Sequence, residues 1–408
     1  MSVDVRTRVD GEAAPVDPAR FFGADLPAAL DRAVPVLAAT AAALRLPDLV
    51  VEVDGARWTL SARRDGIDVG PGAPGEGDAL CLRINAAQLS DLVEDQVTPM
   101  GWFSSGVLDF QGRLERLLDW WLVVRGALDG VAPLVARDMA FEDSDGRPLD
   151  LTRRFEWDDA DEEMDRFLGQ AGYLHVGSVF TEEEMAAVSQ DMDSAAPSYT
   201  QGDGRSWWAR TADGTDRLVR MQGFDAMSGT AASLVADGRL ARLGALTGDG
   251  HQWGQMESNA LEALVKPIGV VEGISDIPWH KDCSLGRHSY ECCGLTVGIS
   301  VTGADETSGQ LRVVAGSHRA LMWPAFLRRD NALPVVDLPT RTGDVTVHLS
   351  CTLHMAQPPV ARERRVMYTG FRLPPLRPDA DVAARQRLRA VRETAATTVS
   401  QPPSTVRG

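Results

Sequence analysis

The spacing of hydrophobic positions changes period along the chain, and each change marks an element. Over residues 26–46 apolar residues recur at helical intervals, and Pro47 closes the run. Short apolar stretches follow at 49–53, 58–62 and 67–69, with Asp54-Gly55 and Asp65-Gly66 between them as turn pairs, which predicts an antiparallel meander. A further strand at 80–84, a helix at 86–93, and a strand over 106–112 leading into a long helix at 114–128 complete an α+β pattern.

The second half reads differently. A helix at 160–169 precedes a strand at 173–176, and Thr181 with Glu184 three positions on has the spacing of a capping box opening a helix. Residues 195–216, rich in Gly, Ser and Asp around Trp207-Trp208, predict a long mobile loop. A short strand at 220–224, helical stretches at 231–246 and 253–261, and a strand at 264–267 come next. Beyond them the strand signals at 291–301, 311–314, 335–338, 344–349 and 365–373 are separated by Gly, Asp, Ser and Pro turns, the pattern of a mainly-β jelly roll of two facing sheets.

The polar, unpatterned segments divide the chain. We expect an N-terminal arm at 1–20, an α+β domain at 21–135, and a charged linker at 136–157 centred on the turn-rich 143–148. A jelly-roll domain with flanking helices is expected at 158–376, and a helical or disordered tail at 377–408. A length of 408 residues suits two hydrophobic cores.

Composition narrows the function classes. The net charge of −17 argues against nucleic acid, because phosphate binding needs a concentrated basic face. No apolar run approaches a membrane span and the N-terminus lacks the apolar core of a signal peptide, so a cytoplasmic protein is expected. Five cysteines without paired C-x-x-C spacing indicate neither a disulfide framework nor a zinc site. The only two lysines, Lys266 and Lys281, both flank the stretch that carries the candidate chemistry, so both are candidates for its pocket or surroundings.

That stretch is Pro278-Trp-His280-Lys-Asp282. On an extended backbone residues two apart share a face, so the His280 imidazole and the Asp282 carboxylate can converge on one ion. A later histidine would complete a two-His, one-carboxylate set with open positions, the arrangement of non-haem Fe(II) oxygenases. His348 and His354 both remain open as that third ligand, since an even spacing puts them on one face.

Two resemblances organise these observations. The Gly-strand-Gly-helix run ending at 106–118, within residues 25–130, resembles the sterol carrier protein type 2-like domain, which would imply binding of a lipid-like or acyl ligand; the competing expectation is a domain kept for packing, oligomerisation or substrate delivery with no ligand of its own. The order Ala171-Gly172-Tyr173, Phe180-Thr181, His280-x-Asp282, Gly309 to His318, Gly343-Asp344, His354 and Arg364-Arg365 resembles the phytanoyl-CoA dioxygenase family over residues 160–373. The second resemblance implies Fe(II), 2-oxoglutarate and O₂ as cofactors, with His280, Asp282 and His354 as iron ligands. It also implies an arginine fork for the far carboxylate of 2-oxoglutarate. Arg364 and Arg365 compete for that role, and counting back from Phe371 favours Arg364. Arg220, in a basic-x-Gln-x-Phe arrangement, is a further cosubstrate candidate. His318 belongs to a family motif but reads as a turn residue, and His175 as a half-buried structural histidine. Gly298 stands where the family often has tryptophan, and Met355-Ala356 where it often has Gly-Ser; both departures are expected to enlarge the pocket.

The resemblance thus implies a 2-oxoglutarate-dependent oxygenase producing succinate and CO₂. Asp282 favours a hydroxylase over the halogenases of the superfamily, which lack that carboxylate. Desaturation, epoxidation and ring formation would use the same residues. The expected substrate is a largely apolar small molecule of specialised metabolism. The competing expectation is a non-catalytic lipid or acyl carrier with a degenerate barrel, which an intact ligand set argues against.

Overall fold

The computed structural model describes residues 14–63, 66–72, 79–94, 97–104, 107–130, 139–253, 260–273, 279–282, 294–319 and 333–372. The arm before residue 14, the tail beyond 372 and the turn pair at Asp65 fall outside them.

The first half builds one sheet and one core. Strands β1 (Leu49–Val53), β2 (Ala56–Ala62), β3 (Ile67–Pro71), β4 (Leu80–Ile84) and β5 (Asp109–Gln111) form a sheet in the order β3-β2-β1-β4-β5. Pairing β1–β2–β3 is antiparallel, the expected meander, while β4 lies parallel to β1. Asp54 and Gly55 both have positive φ, 48° and 86°, as a two-residue hairpin turn demands. The helices Leu26–Leu44 and Leu114–Asp129 cover the sheet, burying Leu30, Leu37, Trp120 and Val123 against Leu49, Leu60 and Leu82.

The second half builds a large curved sheet facing a small one. In chain order its strands are β6 (Tyr173–Val176), β7 (Ser206–Thr211), β8 (Asp216–Met221), β9 (Gln252–Trp253), β10 (Glu262–Lys266), β11 (Val270–Gly273), β12 (Gly294–Ser300), β13 (Leu311–Val314), β14 (Val335–Leu338), β15 (Val345–Leu349), β16 (His354–Ala356) and β17 (Arg364–Arg372). The large sheet runs β11-β7-β8-β10-β17-β12-β15-β6, with β9 beside β17, and the small one runs β14-β13-β16. This is the jelly-roll architecture the turn pattern predicts.

Alternation along the large sheet separates two faces. Leu295, Val297 and Ile299 of β12, Val345 and Val347 of β15, and Met367 and Phe371 of β17 belong to the second core. The helices Asp161–Ala171, Glu182–Ala195, Gly229–Ala236 and Arg239–Ala245 add Phe167, Met185, Leu234 and Leu243 to it. The opposite, inner face therefore carries Thr296, Gly298 and Ser300; Thr346 and His348; and Arg364, Val366, Tyr368 and Gly370. It is a polar face, and the candidate chemistry lies on it.

Several expectations are corrected. The 195–216 loop is instead the hairpin β7–β8. Its ends are fastened by Asp203, which accepts from the backbone of Thr200, Arg205 and Ser206, and by Asp213, which accepts from Thr215. Its Ser and Asp residues thus mark turn chemistry rather than mobility. The 231–246 helix breaks in two at Gly238, in the left-handed region at φ 88°. Trp253 opens no helix but pairs with Phe371 at the sheet edge, and most of the 253–261 stretch lies outside the described residues. Phe155, inside the expected linker, is 1% exposed and stacks edge-on against Phe167 in the second core.

Candidate active site

His280 and His354 are brought together by the backbone. They form an isolated antiparallel bridge in which each N–H donates to the other's carbonyl, at 2.9 and 3.0 Å. Such a pair puts two side chains on one side, and the imidazole centroids are 4.1 Å apart. Asp282, two residues beyond His280, turns its Oδ1 toward Nε2 of His280 at 3.5 Å and Nε2 of His354 at 3.6 Å. The three ligand atoms lie within 4.8 Å of one another, and among the described residues this is the one cluster of that kind.

The donor set suits an iron ion. His354 Nδ1 donates to the Thr352 carbonyl at 2.9 Å, which leaves the Nε2 lone pair facing the cluster. Burial pushes the His354 imidazole well below its ordinary pKa, and the neighbouring His348 and His280 push the same way, so the ring is neutral, as a ligand must be. Two imidazoles and one carboxylate, with further positions open, define a facial triad.

Asp282 is held by two residues that no sequence motif marks, Thr296 and His348. Its other oxygen, Oδ2, accepts from Thr296 Oγ1 at 2.7 Å and meets His348 Nε2 at 3.3 Å. Since a carboxylate only accepts, the proton of His348 sits on Nε2. His348, the alternative third ligand, thus turns its Nε2 to the other oxygen of Asp282, with its ring centroid 4.1 Å from that of His354.

Ser317 fastens the site from behind. Its hydroxyl accepts from Leu353 N at 2.7 Å and its carbonyl from Lys281 Nζ at 3.0 Å, so it ties down the residue before His354 and the residue between His280 and Asp282. Lys281 accordingly points away from the cluster. His318 meets the Gly169 carbonyl at 3.0 Å, a contact across 149 residues rather than a local turn bond. Burial drives its pKa down to about 4, against a raising effect of that carbonyl. His175 is fully buried and meets Asp344 at 3.0 Å. That carboxylate also takes Arg154 and the backbone N–H groups of Ser178 and Arg341.

The two candidate arginines of β17 face opposite ways. Arg365 donates to Ser189 O and Oγ at 2.9 and 3.0 Å and pairs with Asp193 at 2.8 Å, all on the helix Glu182–Ala195 outside the barrel. Arg364 is buried on the inner face, where it donates to the Gly309 carbonyl and, at 3.2 Å, to the Tyr368 hydroxyl. Among the described residues no carboxylate meets it. Arg220 is instead paired with the buried Glu262 and stacked 4.2 Å over the Trp207 ring. Lys266 is buried at the register position beside Arg364, and Met355 lies on β16 opposite Arg312.

Gly298 does not open space. A Cβ there would lie 2.9 Å from the Tyr368 ring and 3.0 Å from Thr346 Oγ1, so the room left by the glycine is filled by the tyrosine across the sheet. The expected enlargement at this position is corrected accordingly.

A jelly roll with a facial triad between its sheets is the scaffold of a non-haem iron oxygenase. Residues 168–366 of the chain match the model of the phytanoyl-CoA dioxygenase family. Its cofactors are iron and 2-oxoglutarate, with O₂, and the His280, Asp282 and His354 donor set fits the metal. The chain is similar in structure to AviO1 from Streptomyces viridochromogenes Tue57, with 20% identity, 52% of this chain and 94% of that one covered, and a TM-score of 0.41. It is also similar to the α-ketoglutarate-dependent epimerase SnoN from nogalamycin biosynthesis, at 21% identity, 52% and 82% coverage and a TM-score of 0.41. A third similar structure is EctD from S. alaskensis with 2-oxoglutarate and 5-hydroxyectoine, at 20% identity, 57% and 82% coverage and a TM-score of 0.42. No curated protein matches the chain. The comparisons lend no support to a sterol-carrier-like first domain. No described helix is long and apolar enough to cross a membrane.

Proposed function

We propose that the second domain, from about residue 158, oxidises a C–H bond of a small molecule at the expense of 2-oxoglutarate and O₂, with hydroxylation as the outcome. The observation that carries this reading is the convergence of His280, Asp282 and His354 ligand atoms within 4.8 Å. The bound iron supplies oxygen activation coupled to decarboxylation of 2-oxoglutarate. The chain's own part is to hold and orient. His280, Asp282 and His354 are the metal ligands, and Thr296 with His348 fixes the Asp282 carboxylate.

Arg364 is the residue we assign to the far carboxylate of 2-oxoglutarate. A buried guanidinium without a counter-charge is costly, and a ligand carboxylate would supply one. Arg365 is occupied on the opposite face, and Arg220 by Glu262. Thr296 and His348 on the inner face are taken by Asp282, and the polar residues of that face lend no support to a largely apolar substrate, so the substrate is proposed as a small molecule alone.

The test is 2-oxoglutarate turnover by the full chain supplied with Fe(II), followed as succinate, together with anaerobic metal binding. We expect His280→Ala and Asp282→Ala to lose both while keeping the wild-type circular dichroism. Unchanged metal binding in both variants would refute the ligand set. The carrier reading would be supported if the wild-type protein bound neither Fe(II) nor 2-oxoglutarate.

A further inference from the structure

We infer that Tyr368 is a second hydrogen-bond donor to the far carboxylate of 2-oxoglutarate, and that Gly298 is the residue that makes room for it. The inference rests on the assignment of Arg364 as the cosubstrate's cation.

Tyr368 on β17 stands between Glu262 on β10 and Gly298 on β12 in the register of the large sheet. Thr346 on β15 follows Gly298 in the same row. The tyrosine ring lies across the glycine so closely that any Cβ at 298 would press on its Cε1 at 2.9 Å. Displacing the ring is the cost of any larger residue there, so the glycine and the ring orientation belong together.

That orientation brings the phenol oxygen to 3.2 Å from Nη2 of Arg364, four residues back along the same face. A guanidinium only donates, so the phenol oxygen is the acceptor and its own proton points elsewhere. Among the described residues it finds no acceptor. Glu262, the nearest carboxylate in register, is taken by Arg220. That pairing also keeps an unbalanced negative charge away from an anion bound beside Tyr368.

Arg364 spends one bond on the Gly309 carbonyl and one on Tyr368, leaving further guanidinium donors beside an undirected phenol O–H. Two kinds of donor, one cationic and one neutral, thus converge on one place, and a carboxylate with its several lone pairs satisfies both. 2-Oxoglutarate, with one carboxylate for the metal and one for this pair, is the ligand they suit.

The experiment measures 2-oxoglutarate affinity by anaerobic calorimetry on the full chain loaded with Mn(II), which needs no turnover. Tyr368→Phe keeps the ring over Gly298 and removes only the hydroxyl. We expect its Kd for 2-oxoglutarate to rise about tenfold, the worth of one charge-assisted hydrogen bond, with Mn(II) affinity unchanged. Pyruvate, which lacks the far carboxylate, should bind the variant and the wild type equally. Gly298→Ala should weaken 2-oxoglutarate binding too, and adding Tyr368→Phe to it should cost less than it does alone, because the two changes disturb one contact. An unchanged Kd in Tyr368→Phe, with a large loss in Arg364→Ala, would overturn the role of Tyr368 alone. An unchanged Kd in Arg364→Ala would overturn the underlying assignment as well.

Discussion

Thr296→Val tests whether the Asp282 carboxylate is oriented from the large sheet. The substitution keeps the shape of the side chain and deletes the hydroxyl that donates to Asp282 Oδ2 at 2.7 Å, leaving only the longer 3.3 Å contact from His348. Hydrogen bonds to charged groups are worth about 1.5–3 kcal/mol net, and partners of metal ligands typically carry about 10- to 100-fold in metal affinity. The two figures agree, since about 1.4 kcal/mol is tenfold. We therefore expect Fe(II) or Mn(II) to bind Thr296→Val about 10- to 100-fold more weakly in anaerobic calorimetry. The metal-free stability should fall much less, because without the ion Asp282 is free to turn. A variant lacking both donors, Thr296→Val with His348→Phe, should lose more than either single change. Wild-type metal affinity in the double variant would refute the idea that these residues orient the ligand.

Two predictions concern stability. His318 has a folded pKa of about 4 against 6.5 for the free group, because burial disfavours its charged form. The unfolded chain therefore takes up the proton first, and stability held above pH 6.5 is lost as pH falls toward 4, by about 2 kcal/mol at pH 5. Urea unfolding at pH 7 and pH 5 should show that loss in the wild type and a smaller one in His318→Gln; equal losses would contradict it. Gly343→Ala places a methyl group on the Phe180 carbonyl oxygen at a backbone φ of 83°, so we expect at least about 2 kcal/mol of destabilisation in the same assay. An unchanged urea midpoint would show that the turn before β15 can relax.

The periodic parts of the fold are legible in the residues, and the misreadings have physical causes. Residues 49–53, 173–176 and 311–314 are short apolar runs between turn residues, and each forms a strand as expected. The β7–β8 hairpin resembles a loop in sequence because Asp203, Asp213 and the glycines around them dominate its composition. Those residues sit in the turns, while Trp207 and Trp208 lie in the strand between. The site follows the same division. His280 and Asp282 share a short stretch and can be read as a pair, whereas Thr296 reaches Asp282 across 14 residues and Ser317 reaches Leu353 across 36, through tertiary hydrogen bonds that no local pattern displays.

Gly298 and His348 show why alternation alone misleads at this site. Read along one strand, Gly298 is a missing side chain and therefore a space; read across the sheet, it is the floor under Tyr368. Read along one strand, His348 and His354 share a face and compete for one role. They lie instead on β15 of the large sheet and β16 of the small one, with ring centroids 4.1 Å apart across the gap between the sheets. The period-two rule holds within a strand and lapses where the chain crosses between sheets, as it does between Leu349 and His354. The crossing divides the labour. His354, bridged to His280, sits at the edge of the small sheet and offers the imidazoles, while Thr296 and His348 of the large sheet grip the outer oxygen of Asp282. A displacement between the two sheets would therefore disturb the ligand geometry directly, so metal affinity should respond to changes at Ser317, the tie behind both ligand segments, as well as to changes in the ligands themselves.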